Sequence, residues 1–252
     1  MKFTFRVMCL FLTFFCVNAS ADALIDDANQ GLTIACKTLA LKNLCQSGLT
    51  IKSFSRSTPS TGIAHYEIKL QIGAHNNDII VLHRLVQMGS NNRPKFSPNA
   101  VMMLHGDALA FTPTFFATNN SLAMQMATSG IDVWGMDSRW TTVATDTSDF
   151  SFMSDWNMRT EINDIGKALT IARLVRIVEN KHFSLLSLLL APNKLLSESR
   201  MSLVGFSRGG QLGYAYLSEE SQRPAALRHV KSFVPMDIYF KTDDPSLKEL
   251  AC

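Results

Sequence analysis

The segment LVGFSRGGQLGYAY, residues 203–216, contains a serine between two glycines in the pattern GxSxG. An apolar run precedes Ser207 and helix-compatible residues follow it, so the serine is predicted to lie where a buried strand turns into a helix. Small residues two positions before and after it, here Gly205 and Gly209, allow the strained turn that exposes a nucleophilic hydroxyl. A serine hydroxyl needs a base to take its proton, so the pattern by itself also fits an ordinary serine in a glycine-rich turn.

Phosphate binding is another chemistry that closely spaced glycines can indicate. Dinucleotide-binding turns have the spacing GxGxxG, whereas the glycines here are spaced GxxxGGxxG. A P-loop has lysine after its last glycine, but Gln211 follows Gly210 in this chain. Residue identity therefore excludes both phosphate-binding interpretations of these glycines.

A second segment, VMMLHGD at residues 101–107, contains a candidate oxyanion hole, which an acyl-transfer site needs in addition to its nucleophile. The tetrahedral intermediate has an oxyanion that requires two N–H donors, one after the nucleophile and one in the loop after the third predicted strand. Arg208 offers the first donor through its backbone, and Asp107 offers the second, because Gly106 lets the chain turn tightly there. His105 would lie on the oxyanion side of the elbow, so it is expected to anchor this turn rather than act as the base.

The elements that must position these segments begin with an antiparallel hairpin. Residues 64–72 alternate apolar and polar side chains, and residues 79–86 form a second strand-like run after a polar turn. From residue 100 onward, strand-like and helix-like segments alternate, which predicts a mostly parallel sheet with helices on both faces. The predicted strands are residues 100–106, 131–137, 201–206 and 230–236, and the predicted helices are residues 121–130, residues 156–180 and the segment after Ser207.

Five segments carry a resemblance to a known family: VMMLHGD, IDVWGMDSRW, DFSFMSDWNMRTEINDIGKAL, LVGFSRGG and FVPMDIYF. They occur in the order found in the α/β-hydrolase superfamily, and the resemblance covers roughly residues 79–240. The chain resembles the lipase and esterase branch, and IDVWGMDSR is similar to a stretch of acid lipases, with Asp137 at their asparagine and Trp140 at their glycine. The resemblance implies that carboxylic esters are hydrolysed, with Ser207 as nucleophile and with Asp107 and Arg208 lining the oxyanion hole.

The chain departs from this family after the nucleophile. The superfamily order is serine, then an acid, then a histidine after the last strand. His229 is the sole histidine after Ser207, and it precedes the last predicted strand rather than following it. Asp237, at the carboxyl end of that strand, is where some members have their acid, but it also fits an N-cap or a turn. The expected fold is thus an α/β-hydrolase sheet over residues 63–252, truncated after about the sixth strand, with the base encoded beyond Cys252.

The first residues have the pattern of an export signal. Two basic residues precede an apolar stretch in residues 1–21, and small residues follow at the spacing that a signal peptidase recognises. This apolar stretch is too short to span a bilayer, so an exported chain without a transmembrane span is expected, beginning with a polar lead-in over residues 22–62. In an oxidising compartment Cys36 and Cys45 could form a disulfide, although two buried thiols fit equally well.

Composition restricts the partners. With 46% hydrophobic residues and a net charge of +3, the chain belongs with folded globular proteins, and it has no basic run for nucleic acid. Its six histidines lack metal-ligand spacing, so neither a metal nor another cofactor is expected.

The apolar run at residues 183–190 suggests either a lip that contacts lipid or an extra helix packed on the core. No feature indicates an oligomeric state.

Two functions are consistent with the amino-acid sequence. The first is an exported serine hydrolase for carboxylic esters of small molecules or lipids, inactive if its base is missing from the chain. The second is a non-catalytic pseudoenzyme, or a binding module that uses the same pocket.

Overall fold

The computed structural model describes residues 49–179 and 197–238. The strands are β1 (Thr50–Ser60), β2 (Ile63–Gln71), β3 (Ile79–Gln87), β4 (Ala100–Leu104), β5 (Asp132–Asp137), β6 (Met201–Phe206) and β7 (Val230–Met236). The helices bounded within these ranges are α1 (Phe111–Phe115), α2 (Leu122–Thr128), α3 (Met158–Glu179) and α4 (Arg208–Glu220). Short 3-10 turns occupy Arg139–Thr142, Ser151–Met153 and Ala225–Leu227.

The seven strands form one open sheet in the order β1-β2-β3-β5-β4-β6-β7. Strands β1, β2, β3 and β5 pair antiparallel in turn, whereas β4 is parallel to both β5 and β6, and β6 is parallel to β7. Five strands therefore run in one direction, and β1 and β3 run in the other. This confirms the predicted mostly parallel sheet.

Helices cover both faces of this sheet. On one face α3 and α4 pack over a core that includes Trp134, Leu203 and Tyr216. On the other face α1 and α2 cover a second core that includes Phe111 and Met124. The periodic apolar residues of α3 are all buried, as amphipathic spacing requires of a helix packed by one face: Ile162, Ile165, Leu169, Ala172 and Val175.

Strand β1 and helix α1 were not predicted, and β1 lies in the segment expected to be a polar lead-in. The β1 sequence TIKSFSRSTPS contains only two large apolar residues, Ile51 and Phe54, and a bulge between Ile51 and Ser53 breaks their alternation. The strand is instead held at the sheet edge by its pairing with β2 and by contact of the Phe54 ring with Tyr66 at 5.8 Å. Because β1 precedes the predicted hairpin, every predicted strand moves up by one in number. The predicted third strand is β4, and the predicted sixth strand is β7.

The connections reverse direction between β4 and β6. The chain passes from β4 to its neighbour β5 on one side, and from β6 to its neighbour β7 on the other. In an open α/β sheet, such a switch point leaves a crevice outside the carboxyl ends of the two strands, where ligands bind. The loop that begins at His105 and the turn at Ser207 lie at this crevice.

Several predictions fall outside the described residues: the signal sequence at 1–21, the cysteine pair and the apolar run at 183–190. Within the described ranges, no helix is both long enough and apolar enough to cross a bilayer.

Candidate active site

Ser207 occupies a strained turn. It is the single residue between the end of β6 and the start of α4, and its backbone has φ +51° and ψ −121°. A non-glycine residue with this backbone conformation costs free energy, and such strain is concentrated at functional sites. The Ser207 N–H donates to the Met236 carbonyl oxygen at 2.9 Å, and the Ser207 carbonyl accepts from the N–H of Gly210 at 2.8 Å. These bonds hold the turn in the form expected of a nucleophile elbow.

The two flanking glycines are required by close backbone approach. A Cβ at Gly205 would overlap the Gly209 carbonyl oxygen and lie 2.6 Å from its carbonyl carbon. A Cβ at Gly209 would overlap the Leu104 carbonyl oxygen and lie 2.6 Å from the His105 carbonyl oxygen. The elbow thus fits against the end of β4 only without side chains at these positions.

The loop after β4 lies against the serine. A Cβ at Gly106 would be 3.1 Å from the Cβ of Ser207. His105 is buried, its Nδ1 lies 2.8 Å from the Gly106 carbonyl oxygen, and its Nε2 accepts from the Ser138 N–H at 3.1 Å. Because the backbone N–H can only donate, Nδ1 has the proton and donates to Gly106. Both ring nitrogens therefore anchor the turn, as sequence analysis expects of His105.

The two expected oxyanion donors are available. Among the described residues, neither the Asp107 N–H nor the Arg208 N–H donates to a backbone or side-chain acceptor. Ala108 follows with φ +54°, so the loop has a second strained residue directly after the donor. Strain of this kind fits a loop whose N–H groups are kept for a ligand rather than for secondary structure.

The Arg208 side chain forms ion pairs that connect the elbow to α3 and to the loop after β4. Its guanidinium donates to Glu161 of α3 at 2.6 Å, and its Nε lies 3.4 Å from the carboxylate of Asp107. The hydrogen bond to Glu161 raises the pKa of Arg208 above its ordinary value, so the group stays charged. This ion pair to α3 was not predicted, because Glu161 is 47 residues away in sequence.

A buried hydrogen-bonded chain below the loop was also not predicted. Asp137 accepts from the Phe111 N–H at 2.6 Å and from His83 Nε2 at 3.0 Å, and His83 Nδ1 lies 3.1 Å from His65 Nε2. Although burial opposes it, the hydrogen bonds from His83 and Phe111 lower the pKa of Asp137, so it is ionised. Asp137 and Ser138 thus hold both ends of the candidate oxyanion loop, residues 105–111, one through Phe111 and the other through His105.

Asp237 lies close to the elbow in space, although it is far from Ser207 in sequence. It follows Met236, whose carbonyl accepts the Ser207 N–H, and it is exposed with φ +50°. Among the described residues no histidine is hydrogen-bonded to it. The turn role left open for Asp237 is the one that its backbone conformation favours.

His229 lies at the opposite end of β7 from Ser207. It is buried, and its Nδ1 accepts from Arg173 at 2.8 Å while its Nε2 lies 3.3 Å from the Thr170 hydroxyl. Burial and the neighbouring charge of Arg173 lower its pKa to about 3. Within residues 49–179 and 197–238, no imidazole forms a hydrogen bond with the Ser207 hydroxyl.

The half-buried His65 predicts a stability that decreases in acid. Burial, with a smaller contribution from His83, lowers the pKa of His65 to about 4, below the ordinary 6.5 that the unfolded chain would have. The unfolded state therefore binds more protons than the folded state between pH 6.5 and 4, so the free energy of unfolding should fall as pH decreases through that window. Urea unfolding at several pH values measures this, and His65→Phe should reduce the slope. Equal stability at pH 7 and pH 4 would contradict the prediction.

Comparison with known proteins adds evidence on the fold. A protein from Sulfolobus solfataricus described as a candidate lipase matches at 17% identity with a TM-score of 0.53, covering 79% of this chain and 56% of that one. An acetyl xylan esterase from Paenibacillus sp. R4 matches at 14% identity with a TM-score of 0.45, covering 89% of this chain and 63% of that one. A brefeldin A esterase matches at 15% identity with a TM-score of 0.40, covering 91% of this chain and 56% of that one.

The chain spans less than two thirds of the length of each of these three proteins. No protein-family profile and no curated protein sequence matches it. The strand order, the strand directions and the likeness to the Sulfolobus structure together show that the chain has the α/β-hydrolase fold.

Proposed function

We propose that this protein is an exported hydrolase that uses Ser207 to transfer the acyl group of a carboxylic ester to water. The observation that carries the proposal is the strained serine at the switch point, beside two backbone N–H groups that donate to no acceptor within the part of the chain that the structure describes. Its export is inferred from the signal pattern of residues 1–21.

The reaction follows from this geometry. The Ser207 hydroxyl oxygen attacks the ester carbonyl carbon while a base takes its proton, and the resulting oxyanion accepts hydrogen bonds from the N–H groups of Asp107 and Arg208. The carbon–oxygen bond to the alcohol then breaks, and the base returns the proton to the leaving oxygen. Water attacks the acyl-serine by the same route and releases the acid. The proposed nucleophile and both proposed N–H donors are among the described residues, and no hydrogen bond within those residues identifies the base.

A second candidate function is binding without catalysis. It is favoured by the engagement of His65, His83, His105 and His229 in hydrogen bonds away from Ser207. In that case the same crevice would hold an ester or a related ligand without cleaving it.

A fluorophosphonate separates the two functions, because it labels a serine only when a base activates it. We expect the folded product of the full reading frame to be labelled at Ser207, as shown by the mass of the tryptic peptide that contains it, and to hydrolyse a short-chain nitrophenyl ester. If that product is folded and remains unlabelled, the hydrolase proposal is contradicted and the binding module is supported. Heat-unfolded protein is the control, since it retains the serine but loses the elbow.

A further inference from the structure

A cavity of about 330 Å³ opens beside the elbow. The oxyanion loop contributes Asp107 and Ala108 to its wall, the elbow contributes Arg208, and the first turn of α3 contributes Glu161. This volume is at the small end of the range of about 300 to 1,000 Å³ that is usual for ligand sites. The cavity therefore suits a single ring rather than a long acyl chain.

The charges in the cavity wall are paired with one another. Arg139 donates to both carboxylate oxygens of Asp164, at 2.6 and 3.0 Å, and it also pairs with Asp78. Arg208 pairs with Glu161 at 2.6 Å. Each guanidinium already has a carboxylate partner, and the Glu161 and Asp164 carboxylates are in turn held by these guanidinium groups, so the buried part of the wall favours neither an anion nor a cation. An alkyl chain is also disfavoured, because it would cover these polar groups without hydrogen bonding to them.

Two tryptophans, Trp140 and Trp156, add rigid aromatic surface to this polar wall. The Trp140 ring is held edge-to-face against His105 at 5.2 Å. The Trp156 Nε1–H donates to Asp78 at 3.0 Å, and its ring lies 5.9 Å from the Arg139 guanidinium. Both indoles are half-buried and fixed by these contacts, so they offer apolar surface that is ordered before a ligand arrives.

We propose that this cavity binds one uncharged, hydroxyl-rich ring of sugar size, and that this ring forms part of the ester. The C–H groups of such a ring would pack on an indole, and its hydroxyl groups would donate to the carboxylates and accept from the guanidinium groups around it. The assignment to the ester rests on the proposed function, because it depends on the position of the cavity next to Ser207. It selects the small-molecule alternative over a lipid substrate.

The test is a fluorescence titration of the 252-residue chain with methyl glucoside. Of the three tryptophans Trp134 is fully buried, so a ligand in the cavity should act on Trp140 and Trp156. We expect a saturable change with a Kd of about 1 mM, the affinity usual for a dozen heavy atoms at moderate ligand efficiency. Trp140→Ala should weaken binding by about tenfold or more, whereas Trp140→Phe keeps an aromatic face and should retain most of the affinity.

Two controls keep the outcome clear. Phe150→Ala changes an exposed aromatic residue that does not line the cavity, and it should bind as the wild type does. Ser207→Ala should also bind as the wild type does, so a failed hydrolase proposal would not hide a sugar site. The inference is overturned if methyl glucoside gives no change at tens of millimolar. It is equally overturned if hexyl acetate gives a saturable change that Trp140→Ala removes.

Discussion

Replacing Ser207 with alanine is expected to reduce ester hydrolysis on the order of a thousandfold or more. The substitution removes the attacking oxygen while the N–H groups of Asp107 and Arg208 remain, so only the activity that the oxyanion donors and binding support would be left. The measurement is kcat/KM with a short-chain nitrophenyl ester, together with loss of fluorophosphonate labelling.

Ser218→Ala is the matched control for this change. Ser218 is exposed on α4, the helix that begins directly after the elbow, so its hydroxyl is removed from the same element without touching the turn. Its kcat/KM should equal that of the wild type. Activity that survives in Ser207→Ala would place the chemistry at another residue and would reject the proposed nucleophile.

Gly205→Ala is expected to lower the free energy of unfolding by about 3 kcal/mol, at the upper end of the cost of overpacking. The new methyl group would overlap the Gly209 carbonyl oxygen and lie 2.7 Å from the Gly210 Cα, so backbone rather than a flexible side chain would have to move. Any movement also displaces Ser207, so fluorophosphonate labelling of the folded fraction should slow as well.

The same chemical change at Gly166 provides the comparison. Gly166 lies inside α3, and a Cβ there would contact Tyr216 alone among the described residues, at an ordinary distance of 3.5 Å. Because alanine favours a helix over glycine by about 1 kcal/mol, Gly166→Ala should leave stability unchanged or raise it. Equal denaturant midpoints for the two variants would show that the elbow tolerates a side chain, contrary to its geometry.

Much of the architecture can be predicted from local pattern. The bounds of β6 and β7 agree with the predicted residues 201–206 and 230–236, because each is an apolar run that ends at a turn or a polar residue. The need for glycine at 205 and 209 also follows from the elbow pattern alone, since a tight strand-to-helix turn has one geometry wherever it occurs.

The contacts around the site depend on tertiary structure instead. Whether His65 reaches His83 depends on the register of β2 against β3, which places His83 opposite Glu67 and His65 opposite Leu85. A shift of one residue would turn these side chains to the other face, so composition cannot specify their contact.

The sequence by itself predicted the alternation of strands and helices from β2 onward apart from α1, the position of the elbow and the two candidate oxyanion donors, because each depends on residues close together in the chain. Tertiary structure alone decided the β1 pairing, the anchoring of the oxyanion loop by Asp137 and Ser138, and the polar cavity. Arg139 and Asp164 are 25 residues apart in sequence, and Arg208 and Glu161 are 47 apart. Such pairs meet only when the helices pack on the sheet, and this packing is set by all of the buried side chains together.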